Sequence, residues 1–483
     1  MGDCITYFRL MVFSGTIFLL YFFPVFLLVY FLTPARFRNY VLLGFSILFY
    51  AWGAPKFILI LIASSLVTYY LIGAMHFRSP GKRKKWLLMA ALLLNIGVLL
   101  YFKYANFFME NFNAALSSLG MRDLRWTAVV LPIGISFYTF QSLSYCVDVY
   151  RGVSPPLKKP SDFLLYIIMF PQLIAGPIVR FNTIADQITN RISTPSDKIV
   201  GFYRFVIGLS KKVLIANVMG KYADMYMDHS LLTLTTTEAW IGLFAYAFQI
   251  YFDFAGYSDM AIGIGRMLGF RFPENFNNPY ISRSITEFWR RWHITLSAWM
   301  RDYLYIPLGG SRVATRSRLF LNLWIVFLIS GLWHGASWNF VLWGAYHGLF
   351  LVLDRIFLKR LLEKAGGIFA TLFTFFVAIL GWVIFRIETM DHALGYYRKL
   401  FAFQFEPMHL GDRLDLPIVM VLTFVFSFIT LTRFGKNAEQ KVYYEEYNSK
   451  RYIGLGLVII ILFFLSVGSI AATGFNPFIY FRF

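Results

Sequence analysis

Leu455–Gly456–Leu457–Val458–Ile459–Ile460–Ile461–Leu462–Phe463–Phe464–Leu465 contains no polar side chain and sits inside a longer apolar stretch from Ile453 to Val467. Only a helix can carry such a segment through a bilayer, because every amide must then be satisfied within the segment itself. Crossing a hydrocarbon core of ~30 Å takes roughly 20 residues. Val12 to Leu32, Phe57 to Met75, Trp86 to Phe102 and Leu416 to Thr432 are further stretches of this kind. Composition agrees: 58% of the 483 residues are hydrophobic and 14% charged, against about 45–50% and about 25% in a soluble domain. The fold class is therefore all-α, a polytopic membrane protein.

The net charge of +20 would suggest nucleic acid on a soluble chain. Here it reads as basic residues in short loops that hold helix ends on the cytoplasmic side, with membrane lipids as partners and no nucleic acid. Five groups fit one ladder: Arg36 with Arg38; Arg78 with Lys82–Lys85; Arg151 with Lys158 and Lys159; Arg355 to Lys364; and Lys436 to Arg451. Placing all five inside puts both termini outside and predicts about 11 spans. With no internal repeat or low-complexity tract, residues 1–483 read as one membrane domain. Val12 to Leu32 is too long for the core of a cleaved leader and is expected to remain as the first helix. Met11 is an alternative start to Met1. Cys4 and Cys146 cannot build a disulfide framework, and Cys146 reads as a core residue.

Between Asp162 and about Asp302 the apolar runs are short and polar residues interrupt them. Ile168 to Arg180 (IMFPQLIAGPIVR) carries Pro171 and Pro177, which break helices. Lys211 and Lys212 interrupt Val206 to Val218, and Asp253 and Asp259 interrupt Ile250 to Met260. Broken helices survive at membrane depth only when buried in protein or lining a wet cavity. The expectation is re-entrant or partly horizontal helices around a polar chamber.

Seven histidines are present. His76, His229, His392 and His409 fall in loops or at helix ends and are read as having no role. His334 lies in Ser330–Gly331–Leu332–Trp333–His334–Gly335–Ala336–Ser337–Trp338, between two apolar runs. An ionisable residue at membrane depth marks a functional site by default. The bland alternative is a neutral core histidine bonded to a carbonyl. Imidazole suits proton abstraction from a hydroxyl at neutral pH, the small neighbours allow close approach, and Trp333 and Trp338 are candidates to wall the site. His293 lies in Glu287–Phe288–Trp289–Arg290–Arg291–Trp292–His293–Ile294–Thr295–Leu296–Ser297. Glu287 and Arg291, four apart, can pair on one helical face. Either this is an interfacial helix whose arginines meet lipid phosphates, or Arg290, Arg291 or Arg301 meets a phosphorylated acyl donor while His293 lines the chamber. Asp253 is a further candidate for donor binding. His347 follows His334 by thirteen residues, which on one helix is well off the same face.

Other chemistries find less support. Gly263–Ile264–Gly265 has no preceding strand and is no dinucleotide loop. There is no Gly-x-Ser-x-Gly elbow, no phosphate loop and no Cys pair. No metal site is expected, since carboxylate partners for two histidines are not evident.

Together the motifs resemble a known family. Trp289 to Ser297, followed by Tyr303–Leu304–Tyr305–Ile306–Pro307–Leu308–Gly309–Gly310, is similar to the signature of membrane-bound O-acyltransferases, and Gly331–Leu332–Trp333–His334–Gly335 resembles the segment holding that family's essential histidine. Leu131 to Gln141, Phe170 to Arg180, Phe252 to Met260 and the ending Pro477 to Phe481 resemble its alginate O-acetyltransferase branch. The resemblance covers nearly the whole chain from Met11. It implies helices around a central funnel, with His334 as the catalytic histidine and His293 as the second marked position. It also implies cytoplasmic acetyl-CoA as donor with no bound cofactor, and an extracytoplasmic acetyltransferase partner that esterifies a polysaccharide. Two rivals are D-alanyl transfer to teichoic acid from a carrier-protein thioester, and a polysaccharide or lipid transporter.

Overall fold

The computed structural model describes residues 11–78, 81–406, 415–445, 449–473 and 479; Cys4, His409 and all of the ending motif but Ile479 lie outside them. The described residues are helical, with no strand among them. Six helices are long and apolar enough to cross a membrane: Ile58–Phe77, Lys82–Ser118, Arg316–His334, Trp338–Ala365, Gly367–Arg386 and Lys450–Thr473. A seventh is possible if Asp415–Leu431 and Arg433–Tyr444, bent by 95° at their junction, form one span. The sequence leads one to expect about 11. The difference lies in helices that are short, such as Phe18–Leu32, or that carry charges, such as Thr236–Met267. The apolar run at 455–465 falls in Lys450–Thr473, where Ile453, Leu457 and Phe464 are each more than 60% exposed, as lipid-facing residues should be.

The chain divides into two compact units, residues 1–198 with 264–273, and residues 199–263 with 274–483. In the first unit the proline-containing stretch breaks as its sequence predicts. A helix ends at Ile168, one turn spans Phe170–Leu173 with Pro171 near its start, and a bend followed by irregular chain leads on to Arg180. The freed backbone groups find protein partners, as they must away from water. The Phe170 amide donates to Ser46 Oγ at 3.1 Å, Gln172 Nε2 donates to the Tyr166 carbonyl at 2.6 Å, and Tyr166 Oη donates to the Val179 carbonyl at 3.0 Å. The Phe170 ring is caged by Phe22, Phe26 and Phe49, with centroids 5.1–5.5 Å away. Gly134, at φ +73°, sits so close that a Cβ would lie 2.6 Å from the Leu173 carbonyl oxygen. Cys146 is buried at 0% exposure, as a core residue.

The second unit overturns the expectation of a broken segment at 250–260. Asp253 and Asp259 lie within one uninterrupted 32-residue helix, Thr236–Met267. Their charges are neutralised from a neighbouring helix rather than by a break. Lys212 Nζ meets Asp253 Oδ1 at 2.8 Å, Lys211 Nζ meets Asp259 Oδ2 at 2.7 Å, and Arg204 Nη2 meets Asp259 Oδ1 at 2.8 Å. Glycines let these helices approach: a Cβ on Gly208 would lie 2.5 Å from the Gly256 carbonyl oxygen, and one on Gly263 2.5 Å from that of Gly201. Small residues facing each other in this way are the usual means of close helix contact in membranes. Gly263 of the rejected Gly-x-Gly motif is thus a packing residue.

A second close contact joins Arg316–His334 to Trp338–Leu353, an antiparallel hairpin turned by Gly335 to Ser337. A Cβ on Gly331 would meet the Phe340 carbonyl oxygen at 2.2 Å, and one on Gly344 the Phe327 carbonyl oxygen at 2.3 Å. Backbone cannot yield cheaply, so Gly331→Ala should force the hairpin apart next to His334. Overpacking of this kind costs about 1–3 kcal/mol. A thermal-shift measurement in detergent should show a clear loss for Gly331→Ala. It should show none for Gly73→Ala, where nothing lies within 4 Å of the added carbon.

Candidate active site

His334 is the last residue of its helix and only 7% exposed. Aromatic edges surround the ring: Trp333, Trp343 and Phe385 lie with centroids at 5.0, 5.1 and 5.3 Å, all steeply inclined to it. His334 opens onto a small pocket, with room for about one water molecule, whose other walls among the described residues are Ile250, Phe254, Trp292, Trp343, Trp382, Phe385 and Ile479. All of these residues belong to the second unit. Among the described residues the imidazole is the one ionisable side chain in this lining, and its apolar surroundings strengthen any electrostatic contact made within.

His293 lies between two short helices, Ile285–Arg291 and Ile294–Met300, outside the spanning helices. Its backbone is left-handed, at φ 43° and ψ 54°, a conformation uncommon outside glycine and one that clusters at functional sites. Asn275 holds it there. The Asn275 carbonyl accepts the Ile294 amide at 2.9 Å, and Asn275 Oδ1 accepts Thr295 Oγ1 at 2.8 Å and the Thr295 amide at 3.4 Å. Asn275 Nδ2 donates to Ser258 Oγ at 3.0 Å. That network assigns the amide oxygen to the side facing His293, whose Nδ1 lies 3.0 Å from it. Nδ1 therefore carries the proton and Nε2 the lone pair, an assignment made from the network. Burial first, and then the nearby His334, hold this imidazole well below its usual pKa, so it is neutral at pH 7. The two histidines share Trp333, 5.0 Å from His334 and 6.1 Å from His293. Phe254, in the pocket wall, lies edge-on to His293 at 4.6 Å.

The other predicted residues divide. Trp333 is buried and its ring lies against His334, but it is not among the residues that line the pocket. Trp338 is 60% exposed and is not part of the pocket wall; Trp343, five residues on, takes that place. Arg291 pairs with Glu287 at 2.9 Å, the four-residue spacing seen in the sequence. Arg290 is exposed. Arg301 is also exposed and pairs with Asp302 at 2.7 Å. Asp253 faces Lys212 rather than the pocket, and its second oxygen accepts the Ile479 amide. His347 corrects the facing argument, which assumed one continuous helix. Because a hairpin intervenes, Trp343 touches both His334 and His347, at 5.1 and 5.0 Å. His347 is fully buried, and neither of its ring nitrogens has a hydrogen-bond partner among the described residues. Asn275 carried no sequence signal of its own, and Ile479 was marked only as part of the ending motif Pro477 to Phe481, not as a site residue.

The model of the membrane-bound O-acyltransferase family matches residues 83–389, which include both histidines. The protein named probable alginate O-acetylase AlgI of Pseudomonas putida is 42% identical, over 98% of this chain and 100% of its own length. The peptidoglycan O-acetyltransferase of Helicobacter pylori is 36% identical over 80% of this chain and 78% of its own. The teichoic acid D-alanyltransferase of Streptococcus thermophilus is 29% identical over 47% of this chain and 58% of its own.

Proposed function

The chain belongs to the membrane-bound O-acyltransferase family, and on that premise we propose that His334 and His293 move an acetyl group from cytoplasmic acetyl-CoA towards an extracytoplasmic acetyltransferase partner that esterifies an alginate-like polysaccharide. O-acylation of polysaccharide itself follows from the relatives; the donor, the direction and the partner are the proposal. The observation that carries it is the His334 imidazole opening onto a pocket whose other described walls are apolar or aromatic. His334 takes the proton of an acceptor hydroxyl, and the oxygen attacks the thioester carbonyl. The tetrahedral intermediate collapses, expelling the thiolate, which receives the proton from the His334 imidazolium. His293, with its lone pair on Nε2, is an acceptor. It suits orienting a neighbouring donor group rather than donating to the oxyanion. Multi-pass placement in a membrane follows from the apolar helices; that it is the cell's inner membrane, with both termini outside, is part of the proposal.

The test uses inside-out membrane vesicles holding the full chain and its partner, supplied in parallel with labelled acetyl-CoA and with a labelled D-alanyl carrier-protein thioester. Label should reach polymer from acetyl-CoA alone, and only with the partner present. Transfer from the D-alanyl thioester instead would overturn the reading, in favour of the teichoic acid branch.

A further inference from the structure

We propose that Ile479 sets the length of acyl group this enzyme accepts. The proposal rests on reading the His334 pocket as the acyl site. Ile479 is 2% exposed and forms part of the wall of that pocket. It is held from outside the pocket: its amide donates to Asp253 Oδ2 at 2.8 Å, across 226 residues of sequence. The other oxygen of Asp253 takes Lys212 Nζ at 2.8 Å, and Lys212 also donates to Asn217 Oδ1 at 2.8 Å. Lys212 and Asp253 expose only 2% and 1% of their side chains. A buried ion pair is weak evidence of stability. Here it has a geometric consequence, because it fixes a single backbone amide and with it one aliphatic side chain facing the pocket.

The other aliphatic wall residue, Ile250, belongs to the long helix Thr236–Met267, and the aromatic wall offers less room to vary. Trp292, Trp343 and Trp382 interlock, with Trp382 centroids 4.9 Å from Trp292 and 6.0 Å from Trp343. Trp343 further packs on His334 itself. Enlarging the pocket at those rings would unseat the histidine. Ile479 makes no ring contact of this kind, and its four side-chain carbons are a removable stop. An apolar pocket discriminates one methylene by about 10- to 200-fold, so the carbons of Ile479 are enough to separate acetyl from longer chains.

The experiment measures kcat/KM for acetyl-CoA and butyryl-CoA with the full chain in vesicles, for the parent, Ile479→Val and Ile479→Ala. The butyryl-to-acetyl ratio should rise in order of carbons removed, reaching about tenfold or more in Ile479→Ala. Ile479→Val removes a single methyl group and keeps the measurement interpretable should the alanine variant fold poorly. A structural role alone would lower both donors together, and a ratio unmoved in Ile479→Val and Ile479→Ala would overturn the proposal while leaving acetyl transfer by the parent intact. No acetyl transfer by the parent would overturn both readings.

Discussion

His334→Ala is expected to reduce acyl transfer by about 10²–10⁴-fold, the range for loss of a positioned general base, while folded protein accumulates at the parent level. The expectation follows from what surrounds the ring. Among the described residues no other ionisable side chain lines the pocket, so none of them offers a carboxylate to take over the proton. His293 is coupled to His334 but tethered by Nδ1 to Asn275. The alanine leaves a cavity beside Trp343 and Phe385, and His334→Gln, closer in volume, controls for collapse of that aromatic cage. Glutamine fills the space and hydrogen-bonds but cannot accept a proton at neutral pH, so it should be as inactive as alanine. Radiolabelled acetyl transfer, normalised to folded protein from size-exclusion profiles, reads the result. Near-parental activity in His334→Gln would make the histidine a structural residue and move the search for a base to His293.

Why were the spans legible and much of the site not? The apolar run at 455–465 and the Pro171–Pro177 break express local physics: continuous hydrophobicity needs a helix, and proline removes a donor. Each shows in any window that contains it. The charges at Asp253 and Asp259 are different. They read as a broken helix because the residues that neutralise them, Arg204, Lys211 and Lys212, come about fifty residues earlier and meet them only through glycine-lined helix packing. Trp338 and Trp343 show the same limit on a smaller scale. Both follow His334 closely, but helical phase and the hairpin turn decide which ring faces the pocket, and the turn geometry is set by Gly331 and Gly344 pressing on opposite backbones. Asn275 sits in a stretch without periodicity, so nothing local marks it. Its importance is visible only when Ser258, His293 and Thr295 gather round one amide.

That gathering makes Asn275 the position where a change of one functional group should be felt most after His334 itself. In Asn275→Ala, the Nδ1 proton of His293 and the Thr295 hydroxyl lose a shared acceptor at a buried site, where orphaned groups cost about 1–3 kcal/mol each. The left-handed turn at His293 also loses its side-chain support, and the imidazole becomes free to take the other tautomer. A wrongly held histidine tautomer can cost orders of magnitude in rate, as the serine protease triad illustrates. A fall in kcat of about 10²-fold is expected. Rate loss alone would not separate positioning from general damage, so the decisive variant is Asn275→Asp. It keeps an oxygen for His293 and Thr295, while Ser258, which accepts from Asn275 Nδ2 in the parent, can turn its hydroxyl to donate to the new carboxylate oxygen, and the fold should survive. The new carboxylate, however, stabilises the imidazolium and raises the pKa of His293 from its depressed value. His293 would then lose its lone pair at a higher pH than in the parent, and the acid limb of the pH–rate profile should move upward. The sign matters: burial holds the parent imidazole neutral down to low pH, so any displacement caused by a carboxylate can only narrow the active range from the acid side. An Asn275→Asp enzyme with a uniformly lower rate and an unmoved acid limb would mean that His293 takes no part in proton transfer and serves as a packing residue.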